Sequence, residues 1–192
     1  SSWQPENLNN MSLAFYECDK LTNVKIENWS VPALTEMQYT FYNCSSIKEV
    51  DFSTWSNIKN LVDLYMTFYN CSSVETLKIP GFVTSYKNML FNFTFENMTS
   101  LKHLDISNWV FDGPNKYEMI GDYLNNSIFA DNYSTVLETV TADGWDIQTD
   151  ITEKFQSILT PMMMFGRGSN VQTSVNNWKL NNHKVNLENF TY

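Results

Sequence analysis

The chain has 192 residues, 43% hydrophobic and 15% aromatic, enough apolar side chain for a continuous core. Its formal net charge of −9, with no block of like charge, argues against a nucleic-acid or anionic-membrane partner, which takes a basic patch. No run of 18 apolar residues exists, three cysteines give no disulfide framework by count, and the lack of an initiator Met or signal peptide marks a processed chain or an excerpt.

Taken in order, the chain opens in register with its later units. Trp3, Leu8, Met11 and Phe15 keep the spacing of Trp29, Leu34, Met37 and Phe41. The phenylalanines Phe15, Phe41, Phe68 and Phe95 then step by 26, 27 and 27 residues. Behind each runs the same series: Cys18, Leu21, Val24, Ile26, Trp29 in one unit, and Met98, Leu101, Leu104, Ile106, Trp109 in another. A fixed period with fixed internal spacing is the signature of a stacked repeat.

Each unit has two parts. Leu34, Met37, Phe41 and Leu61, Leu64, Phe68 lie at i, i+3, i+7, which predicts one face of a short helix. Asn-Cys-Ser-Ser ends it, because Asn tolerates the left-handed conformation and Ser favours turns. Val50 and Phe52, then Leu77 and Ile79, alternate with polar residues and predict strands. By offset, strands fall near 23–27, 49–53, 76–80, 103–107 and 139–143, all parallel in one sheet. Thr54, Gly81 and Asn108, each just before an aromatic, suit a turn. The predicted class is an α/β solenoid: a coil stack with one parallel β-sheet face and short helices opposite. A single coil cannot bury its apolar face, so stacking holds the fold together.

The whole of 1–192 reads as one solenoid, with regular coils over 8–110, a coil with an insertion over 111–149, and a degenerate coil over 150–192. Leu137, Val140, Ala142 and Trp145 repeat the offsets of Leu101, Leu104, Ile106 and Trp109 after about nine inserted residues. Ile158, Pro161, Phe165, Val171, Val175 and Trp178 make a looser sixth turn, and Phe190 begins a seventh.

The pattern Met-x3-Phe-x2-Cys-x2-Leu-x2-Leu-x-Leu-x2-Trp resembles the BspA-like leucine-rich repeat of about 26 residues. That family occurs in bacterial surface proteins and lipoproteins and in surface proteins of some protists. The resemblance implies a solenoid with a leucine-rich-repeat-type coil stack, an extracellular or cell-surface role in adhesion or matrix contact, and no catalytic residues.

Cys18, Cys44 and Cys71 share one repeat column continued by Met98, which favours buried, reduced, unliganded thiols over a metal or redox site. His103 is expected to face solvent, and neither it nor His183 has a Ser or Cys partner in register for nucleophilic catalysis. Asp143, Asp146, Asp150 and Glu153 offer carboxylates for calcium, but their spacing is not that of an EF-hand loop and equally suits a solvated loop. No cofactor and no metal is expected.

Asn-x-Ser/Thr occurs nine times. In a eukaryotic secretory pathway it marks N-glycan acceptors, with Asn28, Asn125 and Asn132 ranked first and Asn10, Asn92 and Asn189 after them. Asn43, Asn70 and Asn97 share a column and would crowd one another. The leading function is an extracellular repeat protein acting by protein contact, through adhesion, matrix binding or end-to-end structural assembly into filaments. Trp3 and Phe190 are the residues expected at the end-to-end contact, since each lies in a half unit. The alternative is a carbohydrate-active enzyme using strand-face carboxylates. Asp51 and Asp105 share one outward position, but Lys25 and Lys78 occupy it too.

Overall fold

The structure is a computed structural model that describes residues 5–55, 58, 60, 63–85, 94–112, 137–147, 172–174, 176–177, 179–180 and 183–184. Its strands are β1 (Glu49–Asp51), β2 (Thr76–Lys78), β3 (Val83–Ser85), β4 (His103–Asp105), β5 (Val110–Asp112), β6 (Thr139–Thr141), β7 (Asp146–Ile147), β8 (Gln172–Ser174), β9 (Lys179–Leu180) and β10 (His183–Lys184). The first sheet has the order β1-β2-β4-β6-β8, and every pair in it is parallel. Val50 lies beside Leu77, Leu77 beside Leu104 and Leu104 beside Val140. The repeat offsets predict this register, including the step across the insertion.

A second sheet departs from the single-sheet expectation. It has the order β10-β9-β7-β5-β3, parallel except for the antiparallel β9–β10 pair. Each coil bends at a left-handed residue before its aromatic and then runs straight again. Asn28, Gly81, Asn108, Gly144 and Asn177 all have φ between 56° and 73° there, whereas Thr54 does not. At Gly144, with φ 71°, a Cβ would be strained and the Asn108 side-chain oxygen would have to turn aside, so glycine relieves both. The second strands are two or three residues long and, β10 aside, sit just past the aromatic, beyond the alternating pair that marks the first sheet.

Two further expectations are corrected. Residues 23–27 form no strand. That stretch is tied to the next coil through side chains instead: the Trp55 indole donates to the Ile26 carbonyl and the Asn28 N–H to the Thr54 hydroxyl. In the sixth turn, β8 adds a strand beyond those expected and brings Thr173 beside Val140.

Among the described residues there are no helices, and the predicted helical half is a staircase of tight turns. Thr40, Tyr42 and Cys44 donate their N–H groups to Met37, Tyr39 and Phe41 at 3.1, 3.2 and 3.0 Å, a three-residue reach. Between them, Tyr39, Phe41 and Asn43 donate to Tyr65, Thr67 and Tyr69 of the next coil at 3.0, 2.9 and 2.9 Å. Alternate amides thus turn the chain and tie it to its neighbour. An α-helix would spend all of them internally. Left-handed residues recur at Leu13 and Glu17, Tyr39 and Asn43, Met66 and Asn70, and Asn97, which interrupts any helix. Asn in the Asn-Cys-Ser-Ser segment therefore does adopt the left-handed conformation, closing a turn where a helix end was predicted.

The core lies between these faces. Phe15, Phe41, Phe68 and Phe95 stack with centroids 5.0, 5.6 and 6.1 Å apart and planes within 9°. Leu34, Met37, Ile47, Val50, Leu77, Leu104, Val140 and Ala142 are buried beside them. Coil interiors also carry side-chain donors aimed at the preceding coil. The buried hydroxyls of Thr40, Thr67 and Thr94 donate to Met11, Met37 and Leu64 carbonyls at 3.1, 2.8 and 2.8 Å. The indoles of Trp55, Trp109 and Trp145 donate to Ile26, Ile79 and Ile106 at 2.6, 2.6 and 2.7 Å. Buried carbonyls are satisfied this way without opening the stack.

Candidate interaction surface

The solenoid presents two faces of different chemistry. On the first sheet, the outward column runs Asp51, Lys78, Asp105 by register. The Lys78 ammonium sits 3.0 Å from Asp51 and 3.9 Å from Glu49, Lys102 sits 2.7 Å from Glu75, and His103 lies 3.9 Å from Glu138. Burial alone would raise the Asp51 carboxyl, but hydrogen bonds from Ser53 and Lys78 hold it below its usual range. Asp51 in turn pushes the Lys78 ammonium up. An ionised, lysine-paired carboxylate cannot deliver a proton, and Lys78 stands between Asp51 and Asp105. Asp51 and Asp105, the pair that shares one outward position, are thus poorly set for glycoside hydrolysis. His103 is exposed as expected, 2.9 Å from the Thr139 hydroxyl.

The turn face is different. Tyr16, Tyr42 and Tyr69 form an outer column, stacked at 5.0 and 4.9 Å with planes within 9°. Tyr39 meets Tyr65 edge-on at 5.4 Å and also touches Tyr16 and Tyr42. Tyr16 is 40% exposed and its neighbour Leu13 56%, the large apolar side chains most open to solvent among the described residues. Burial among neighbouring rings, then the Glu17 carboxylate, push the Tyr16 phenol above its ordinary range. Burial, then Tyr65, do the same to Tyr39. These five tyrosines form a terrace of neutral, rigid rings on the outside of the coils. None was singled out from sequence, although Phe-Tyr at 15–16, 41–42 and 68–69 keeps the repeat step and was the signal that could have found them.

Glu17 flanks the terrace at one end, and Glu96 continues the Tyr column at the other. Glu36 and Asp63 lie along its margin, bridged in register with Asn10. Asn10 donates to Glu36 at 2.5 Å and the Gln38 amide donates to Asp63, so both acids have neutral donors. No lysine or arginine occurs in 8–18, 34–46, 63–73 or 94–100, the described segments of this face.

The cysteine column divides. Cys44 and Cys71 are buried and donate to Phe15 and Phe41 carbonyls at 3.0 and 3.1 Å. Burial pushes the Cys44 thiol up to about 12 and the Cys71 thiol higher still. Cys18 is exposed, contrary to expectation, because no described coil lies on its outer side. A thiol reagent on native protein should therefore label Cys18 rapidly and leave Cys44 and Cys71 until unfolding. Equal rates at all three would contradict the stack.

Of the sequon asparagines, Asn28 is exposed on a turn with φ 62°. Asn10 is exposed, but its amide is engaged by Glu36 and by the Ser12 N–H. In the crowded column, Asn70 donates to Asn43 at 2.9 Å. Asn92, Asn125, Asn132 and Asn189 lie outside the described residues, as do Trp3 and Phe190. So do Asp150 and Glu153, while Asp143 accepts from the Ser174 hydroxyl at 2.8 Å and the Asn176 N–H at 2.6 Å. Among the described residues no group of three or more His, Cys, Asp or Glu could hold a metal ion.

Stacked coils, one parallel sheet, a second parallel but for its last pair, and an outer aromatic face define a repeat solenoid, a class that works through extended contact surfaces. The chain belongs to the BspA type leucine rich repeat region family, whose model matches residues 5–116 in six copies. Proteins of this repeat type are in general surface-associated interaction scaffolds. Among the described residues no helix is long and apolar enough to cross a membrane. No curated protein and no solved structure matches the chain.

Proposed function

We propose that the chain is a non-enzymatic, extracellular or cell-surface protein that acts by protein contact, in adhesion or matrix binding, and that it makes this contact with the tyrosine terrace. The carrying observation is the terrace itself: five tyrosines in mutual contact, outside the core, with Tyr16 and Leu13 open to solvent. Tyrosine supplies large contact area at low entropy cost, and contiguous exposed apolar surface marks interaction sites. Beads coated with the chain should adhere to a matrix-protein surface. Tyr16→Ser combined with Tyr42→Ser should release them, whereas Lys78→Ser on the sheet face should not. Adhesion indifferent to both tyrosines would overturn the assignment.

End-to-end assembly is a second reading, favoured by one observation. Leu8, Phe15, Leu21, Val24 and Trp29 are only partly buried, whereas Leu34, Phe41, Ile47, Val50 and Trp55 in the next coil are buried. A further coil, of this polypeptide or of a second copy, would cover that row, and Trp3 and Phe190 remain the residues proposed for the contact between copies. N-glycosylation is proposed at Asn28 before Asn10, because Asn28 is exposed on a turn, where loops tolerate bulk. Asn125, Asn132, Asn92 and Asn189 remain candidates from their sequons. Native mass spectrometry of protein from its source reads both: sugar on Asn28, and copies joined end to end. An unmodified, dilution-independent monomer would refute both.

A further inference from the structure

We infer that the tyrosine terrace takes a cationic, arginine- or lysine-rich segment of a partner protein. The inference rests on the terrace being the contact face and adds what it contacts.

Charge on this molecule is segregated by face. On the sheet face, Lys78 and Lys102 are already held by Asp51 and Glu75, at 3.0 and 2.7 Å. On the turn face, Glu17 lies beside Tyr16, Glu36 is exposed at the margin and Glu96 continues the column by repeat step, and the described segments of that face contain no lysine or arginine. The donor at the exposed Glu36 carboxylate is the uncharged Asn10 amide, which leaves the negative charge in place, whereas Asp63 is buried under the Gln38 amide and the Tyr65 N–H.

Arginine and lysine match this combination. Their aliphatic stems pack on aromatic surface while the charged head reaches beyond it, here toward carboxylates at the terrace margins. Ring faces within the Tyr16–Tyr42–Tyr69 column are occupied by one another, so edges and hydroxyls meet the partner. The hydroxyl oxygens then accept from guanidinium N–H groups. A second copy of this chain is disfavoured by its net charge of −9, which repels a like-charged copy even though Lys20, Lys25 and Lys48 are exposed. An acidic partner meets like charge along both margins.

The test uses the full chain and two labelled peptides of equal length, one alternating arginine with glycine and one alternating glutamate with glycine. Fluorescence anisotropy should show binding of the arginine peptide only, weakening as salt rises. Tyr16→Ser and the pair Glu17→Gln with Glu96→Gln should each reduce affinity by about tenfold. Asp51→Asn on the sheet face is the control for general attraction to an acidic protein and should leave affinity unchanged. Circular dichroism melting of each variant separates loss of binding from loss of fold. No binding of the arginine peptide, or equal losses from Asp51→Asn and the terrace variants, overturns the inference. Bead adhesion that depends on Tyr16 and Tyr42 without arginine-peptide binding overturns the partner chemistry and leaves the contact face standing. Adhesion indifferent to those tyrosines removes the contact face itself.

Discussion

Phe68→Ala is expected to lower the unfolding free energy by about 3–5 kcal/mol, measured by denaturant or thermal unfolding. Phe68 is fully buried, stacked on Phe41 at 5.6 Å and on Phe95 at 6.1 Å, with the edge of Phe52 at 6.1 Å. Removing its ring leaves a cavity touching two neighbouring coils. Stability in a coil stack is a sum of unit and nearest-neighbour terms, so a residue with neighbours on both sides should matter more than one at the border. Phe15 is only partly buried and, among the described residues, stacks on Phe41 alone. Phe15→Ala should therefore cost roughly half as much. Equal losses at the two positions would mean that the coils do not stack as nearest neighbours.

Trp109→Ala carries the second large expected loss, again about 3–5 kcal/mol. Its indole is buried, stacks on Trp145 at 6.3 Å, lies tilted against Phe82 at 6.1 Å, and donates to the Ile79 carbonyl at 2.6 Å. Trp109→Phe separates packing from hydrogen bonding. Phe82 already occupies this column one coil earlier, so a phenyl ring fits there. What the phenylalanine variant loses is the donor to a buried carbonyl, about 1–3 kcal/mol. If Trp109→Phe were as damaging as Trp109→Ala, the indole bond and not the ring volume would dominate the site.

Much of the fold was legible because the repeat step aligns chemically similar residues. Phe15, Phe41, Phe68 and Phe95 had to share an environment, and so did Val50, Leu77, Leu104 and Val140. The inward positions and the parallel register of the first sheet follow from that alone. The candidate site was less legible. Phe-Tyr recurs in step, but nothing in its spacing says that the tyrosine beside each core phenylalanine stands outside and stacks on its counterpart.

Sequence alone determined the period, the core columns, the register of the first sheet from Val50 to Val140, and turns at Asn28, Gly81 and Asn108, whose left-handed conformation the structure adds. Helix against turn staircase was decided only by the tertiary structure. Apolar residues at i, i+3 and i+7 fit either, because both bring the chain back to one face every three to four residues. The difference lies in where the amides go, and Tyr39, Phe41 and Asn43 can bond to Tyr65, Thr67 and Tyr69 only once the next coil is in place. Those bonds offset the cost, roughly 1–2 kcal/mol each, of holding Leu13, Tyr39 and Met66 left-handed. The exposure of Cys18 was decided in the same way, since a column position fixes which way a side chain points but only a neighbouring coil covers it.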